Sequence, residues 1–101
     1  DGLQIPARAD WADPVYHLYV VRSADRDSLA AALKERQIQT AVQYPIPLHA
    51  TPAFADCGAT MGDLPVSEAA CEQILSLPIF PELDDASVDR VIEAVRDFHQ
   101  A

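Results

Sequence analysis

The sequence is 101 residues long, half of it hydrophobic, with 16 acidic residues against 7 lysines and arginines and a net charge of −9. That length suits one small domain around a single core, and the apolar half argues against disorder in spite of the charge. The acidic surplus speaks against nucleic acid or an anionic membrane as a partner, and no apolar run has the length of a bilayer span.

Residues 1–14, with Gly2, Pro6 and Pro14 and no sustained period, read as an arriving linker, which leaves 15–101 as the domain. "VYHLYVVR", residues 15–22, is β-branched and aromatic on both faces and predicts a central strand. "SADRDSLAAALKERQ" predicts a helix near 25–36, capped by Ser23 or Asp25 and carrying Leu29 and Leu33 one turn apart. "IQTAVQY", residues 38–44, predicts a second strand, halted by Pro45 and Pro47 because proline cannot donate to a ladder. A short helix near Pro52 to Asp56 and a turn through Gly58 and Gly62 lead to a helix starting near Pro65, with Val66, Ala70 and Ile74 as its expected core face. "SLPIFP" reads as a short third strand or extended edge segment. From Asp84 onward, Val88, Val91, Ile92, Val95 and Phe98 recur at helical period behind an acidic start. The order of elements predicts an α+β domain, a small sheet with helices packed on one face.

The usual catalytic signatures are missing. Gly2, Gly58 and Gly62 are scattered, so there is no phosphate loop, and no serine sits in an elbow motif. Cys57 and Cys71 read as reduced thiols of a cytoplasmic protein, and no zinc spacing is present. No residue is assigned to catalysis or to a metal. His17 reads as a core or half-buried strand histidine, His99 as a helix-end or surface residue, and Lys34, beside Glu35 and Arg36, as part of a solvated helix face. His49 differs because the proline-braced stretch "VQYPIPLHATPAF" fixes its position without using it in a ladder. Contact with a ligand and an ordinary loop hydrogen bond are both open for it, and Tyr44 points either into a pocket or into the core.

Four blocks in order, "YHLYVVR", "RDSLAAALKERQIQTAVQYPIPLHATPAF", "LPVSEAACEQILSLPIFPEL" and "VDRVIEAVRDF", resemble the C-terminal small domain of the pyridoxal-phosphate-dependent nucleotide-sugar aminotransferases of the DegT/DnrJ/StrS type. The likeness runs from about Val15 to Phe98 and implies the aspartate aminotransferase fold type I. Many members end the first helix in glycine where Gln37 stands here. Many also carry "HYP-x-P-L-H", which appears here as "QYPIPLH", with Gln43 in place of the histidine. The resemblance implies a substrate-binding role for Gln43, Tyr44 and His49 at the rim of an active site. It further implies pyridoxal phosphate in the parent enzyme, held by a large catalytic domain, in a homodimer acting on a nucleotide-linked keto sugar.

Nothing in this chain matches the lysine, acid and phosphate donors that such a cofactor needs, and Lys34 is not promoted to that role. The chain is therefore expected to bind no cofactor and to be catalytically silent alone. Since it begins at Asp1 and its single methionine is Met61, it is expected to be a processed product or a piece of a longer polypeptide. The alternative is a free-standing binding or interaction module derived from that domain.

Overall fold

Val20 and Val21 sit on opposite faces of the strand Tyr19–Ser23 (β2), and both faces are covered, Val21 wholly and Val20 in part. Such two-sided burial belongs to a central strand. The structure, a computed structural model, describes residues 2–101, and in it β2 lies between Leu3–Gln4 (β1) and Ile74–Leu77 (β3) in an antiparallel sheet of order β1-β2-β3. The register pairs Val21 with Leu75 and Val20 with Ser76, so Val21 and Leu75 share the face that closes the core. Three helices complete the fold: Arg26–Glu35 (α1), Pro65–Gln73 (α2) and Asp85–Gln100 (α3). The expected α+β architecture is the observed one.

Leu29 and Leu33 of α1 are fully buried against β2, β3 and α3, joined by Ile38 and by Ala94 and Val95 of α3. α1 ends in a Schellman motif: Gln37 is left-handed, its N–H donates to the Lys34 carbonyl at 2.9 Å, and the Ile38 N–H donates to the Leu33 carbonyl at 2.9 Å. This turn delivers Ile38 into the core beside Leu33. Arg26 opens α1 and donates from one guanidinium nitrogen to the carbonyls of Cys71 and Ile74, each at 3.2 Å, tying α1 to the negative end of α2. Asp84 caps α3 by accepting from the Ser87 N–H at 2.8 Å.

Several expected elements are shifted. The strand expected over 15–22 begins only at Tyr19, because Tyr16 is left-handed and β3, which runs antiparallel, ends at Leu77 opposite Tyr19 and offers no partner beyond it. His17 consequently lies in an exposed bend and is not half-buried in a strand. Residues 38–44 do not form a strand. They meet β3 through one isolated bridge, Ala41 with Ser76, since β3 is only 4 residues long and stops before Pro78. Ile74 leaves its expected place on a helix and begins β3, claimed by Arg22 across the sheet. Val66, expected in the core, is 79% exposed. On α3 the buried line is Ala94 and Val95 with Val91 and Phe98 packed beside them, while Val88 and Ile92 remain exposed. His99 is half-buried and packs near Gly2 rather than standing at the surface. β1 falls inside the segment read as a linker. Among the described residues no helix is long and apolar enough to cross a membrane.

Candidate functional site

Residues 43–54 leave the sheet after the Ala41 bridge and cannot return to it, because Pro45 and Pro47 lack the N–H that a ladder needs. Pro47, buried and extended at φ −67 and ψ 147, feeds a 3-10 turn at Leu48–Ala50, and a second turn follows at Pro52–Phe54. The turns are held locally. The Ala50 N–H donates to the Pro47 carbonyl at 2.9 Å, and the Thr51 hydroxyl donates to the Leu48 carbonyl at 2.7 Å. The Gln43–Tyr44 peptide bond is cis.

This loop forms one wall of a groove of about 880 Å³, and the other is formed by Leu64, which caps α2, and by Ser67, Ala70 and Cys71 of α2. The volume is in the range of small-molecule sites. Tyr44 is 73% exposed on the loop wall, so its phenol points away from the core. Gln43 also lines the groove, and its side-chain oxygen accepts from the Ser76 hydroxyl at 3.2 Å, fixing it to β3. Most of the surface is apolar, supplied by residues such as Ile46, Leu48, Phe54 and Leu64. Both cysteines line it as free thiols.

His49 is only 9% exposed, and its Nε2 lies 2.9 Å from Oε1 of Glu68 on α2. Glu68 also accepts from the Gly62 N–H at 2.8 and 3.0 Å and reaches back to the Leu64 N–H at 3.3 Å, much as the acid of a capping box does. Desolvation pushes the Glu68 carboxyl up. The Gly62 N–H, the His49 ring and the Leu64 N–H together outweigh it and hold the group below its usual range. An ionised carboxylate only accepts, which assigns the hydrogen of His49 to Nε2. Within this arrangement His49 has Nδ1 for any further partner, while its Nε2–H is already used.

Asp63 supports the same region. It accepts from the Thr60 N–H at 2.7 Å and from the Thr60 hydroxyl at 3.2 Å; these bonds and the nearby His49 lower its carboxyl against a smaller desolvation effect.

The structure thus brings Gln43, Tyr44 and His49 to one groove, with His49 beneath the surface rather than open at the rim. Glu68 was not legible beforehand, because an acid in the first turn after a proline is an ordinary helix start. Only its pairing with a buried histidine distinguishes it. For a pyridoxal phosphate site the residues present do not fit. Lys34, the only lysine, is exposed in the last turn of α1 and lies outside the groove lining. Glu68, the acid bonded to the groove residue His49, lies outside the groove lining and is engaged by three donors.

Comparison with known proteins finds that the profile of the DegT/DnrJ/EryC1/StrS aminotransferase family matches residues 1–96. The chain is 43% identical over 97 residues to the dTDP-3-amino-3,4,6-trideoxy-alpha-D-glucose transaminase of Streptomyces venezuelae, covering 96% of this chain and 26% of that protein. Among solved structures it is similar to S. venezuelae DesV in complex with a ketimine intermediate, with a TM-score of 0.95 and 42% identity over 100% of this chain and 27% of that one. It is also similar to the putative sugar aminotransferase Spr1654 from Streptococcus pneumoniae in its PMP form, with a TM-score of 0.83 and 25% identity over 97% of this chain and 26% of that one. The chain spans about a quarter of the length of the curated relatives it matches.

Proposed function

We propose, from the premise that the chain belongs to the DegT/DnrJ/EryC1/StrS aminotransferase family, that it is the C-terminal small domain of a cytoplasmic pyridoxal-phosphate-dependent enzyme that aminates a nucleotide-linked keto sugar. The observation that carries this reading is the groove of about 880 Å³ in which a proline-braced loop presents Tyr44 and Gln43 above a fixed His49. A pre-ordered loop binds a flexible, hydroxyl-rich ligand without a large ordering cost. An apolar lining with a few placed polar groups suits the sugar ring and base of such a ligand.

In this reading the chain supplies substrate contacts, and the cofactor belongs to the remainder of the parent polypeptide. That remainder, a large catalytic domain, is the partner for which the exposed apolar residues around the loop are suited, within a homodimer. The chain alone is then catalytically silent. The likeness to a dTDP-sugar transaminase supports a nucleotide sugar as the substrate class.

The test has two parts. The coding sequence upstream of Asp1 is expected to encode a large α/β domain with a Schiff-base lysine, and the intact polypeptide is expected to bind dTDP-glucose or UDP-N-acetylglucosamine in calorimetry. A reading frame that opens near Asp1, with no nucleotide-sugar binding, instead marks a free-standing module.

A further inference from the structure

The two walls of the groove are joined in an unusual way. Among the described residues, the one hydrogen bond between the loop at 44–57 and α2 is the contact of His49 with Glu68, between side chains that are 6% and 13% exposed. Every other hydrogen bond formed by the loop in that span stays within the loop or its immediate continuation. Glu68 in turn is fixed by the amides of Gly62 and Leu64, so one carboxylate gathers the loop, the 58–64 turn and the start of α2.

We propose that Glu68 is a positioning residue for the groove: its clasp on His49 sets the separation between the Tyr44 wall and the α2 wall, and through it the fit of the sugar nucleotide. This rests on the reading of the groove given above. A carboxylate with three converging donors has little freedom to move, and a buried imidazole held at one nitrogen cannot swing. With Glu68 removed, the His49 Nε2–H and the Gly62 N–H lose their acceptor together. The loop then keeps its internal turns but no polar tie to the helix. Glu68 touches no reacting atom in this account, and its effect on ligand passes entirely through His49 and the loop.

The experiment compares Glu68→Ala and Glu68→Gln with the parent in the intact polypeptide, with Glu72→Gln on the exposed side of α2 as a control. Hydrogen exchange read by mass spectrometry needs no ligand. In Glu68→Ala the amides of 44–57 and 58–64 are expected to exchange about tenfold faster while those of α1 and α3 stay unchanged. Affinity for dTDP-glucose or UDP-N-acetylglucosamine should fall about tenfold, with the amino-donor half-reaction within about twofold of the parent. Glu68→Gln, which keeps an acceptor, should recover part of both effects. Unchanged exchange in a folded Glu68→Ala protein overturns the clasp, and faster exchange with unchanged affinity overturns its positioning role. Should Glu68→Ala not fold, the same two criteria apply to Glu68→Gln with smaller changes. Altered exchange in a protein that binds neither nucleotide sugar upholds the clasp and counts against the nucleotide-sugar reading alone.

Discussion

Gln37 shows how a single residue can be placed by the backbone around it. It adopts φ 61 at the end of α1, a conformation that costs a side-chain-bearing residue and that glycine reaches freely. Gln37→Gly is expected to stabilise the fold by about 1 kcal/mol, seen as a higher urea midpoint at unchanged slope. A lower midpoint would show that the Gln37 side chain contributes more than its backbone costs. The site residues were only half legible in the sequence. Pro45 and Pro47 announced a braced loop carrying Tyr44 and His49, but the depth of His49 depends on Glu68, which is near it only after folding. Acid stability is also a matter of single residues. Asp84, Asp63 and Glu68 are held below their ordinary values of 3.8, 3.8 and 4.5, Asp84 by the Ser87 side chain and N–H. Folded, each binds its proton more weakly than unfolded. Their contribution is therefore complete above those ordinary values and is lost as pH falls through the lower folded ones. Asp84→Asn keeps the cap without the titration and should flatten the acid limb of stability against pH; an equally steep limb would assign the loss elsewhere.

Elements whose partners are local were the easiest to anticipate. α1 and α3 carry their own periodicity, so their positions agree with expectation to within a residue or two at each end, although only α3 has its expected side-chain cap: Asp25 begins α1 without one, and Ser23 accepts only from the Asp25 N–H. Elements that depend on a distant partner were not. Residues 38–44 have strand composition, yet β3 offers them a single rung, and Ile74 reads as helical until Arg22 is seen to pair with it. The buried line on α3 is likewise set by a distant partner, since α3 packs on α1 and it is Ala94 and Val95 that join Leu29 and Leu33 in the core, while Val88 and Ile92 stay exposed. Substitution should expose the difference between load and exposure. Leu33→Ala empties a fully buried position where α1 joins the core and is expected to cost about 2 to 5 kcal/mol in chemical denaturation. Val66→Ser on the outer side of α2 should stay within about 0.5 kcal/mol. Equal costs at the two positions would mean that α2 packs through Val66 after all.

The whole molecule exposes 7565 Å², against about 5,600 Å² for a compact monomer of this mass. Its radius of gyration of 15.6 Å likewise exceeds the ~13 Å typical of a hundred-residue domain. Trp11 at 90% exposure, with Ile46, Leu48, Phe54 and Leu64 beside the groove, accounts for part of the apolar excess. Exposure of this kind predicts self-association of the isolated chain at high concentration in sedimentation velocity, whereas a strict monomer would favour a module complete in itself. Treatment of the same chain with pyridoxal phosphate and borohydride should leave no stoichiometric label, and clean labelling at Lys34 would contradict the assignment of the cofactor to another part of the parent. The central claim, that this chain serves the sugar side of the reaction, is tested most directly by Tyr44→Phe in the intact polypeptide, with the two half-reactions followed separately. Loss of one hydrogen bond from an exposed phenol at the groove should weaken nucleotide-sugar affinity by about 1 to 3 kcal/mol and leave the amino-donor half-reaction nearly unchanged. Normal sugar affinity with a damaged donor half-reaction would place the loop on the cofactor side and contradict the account.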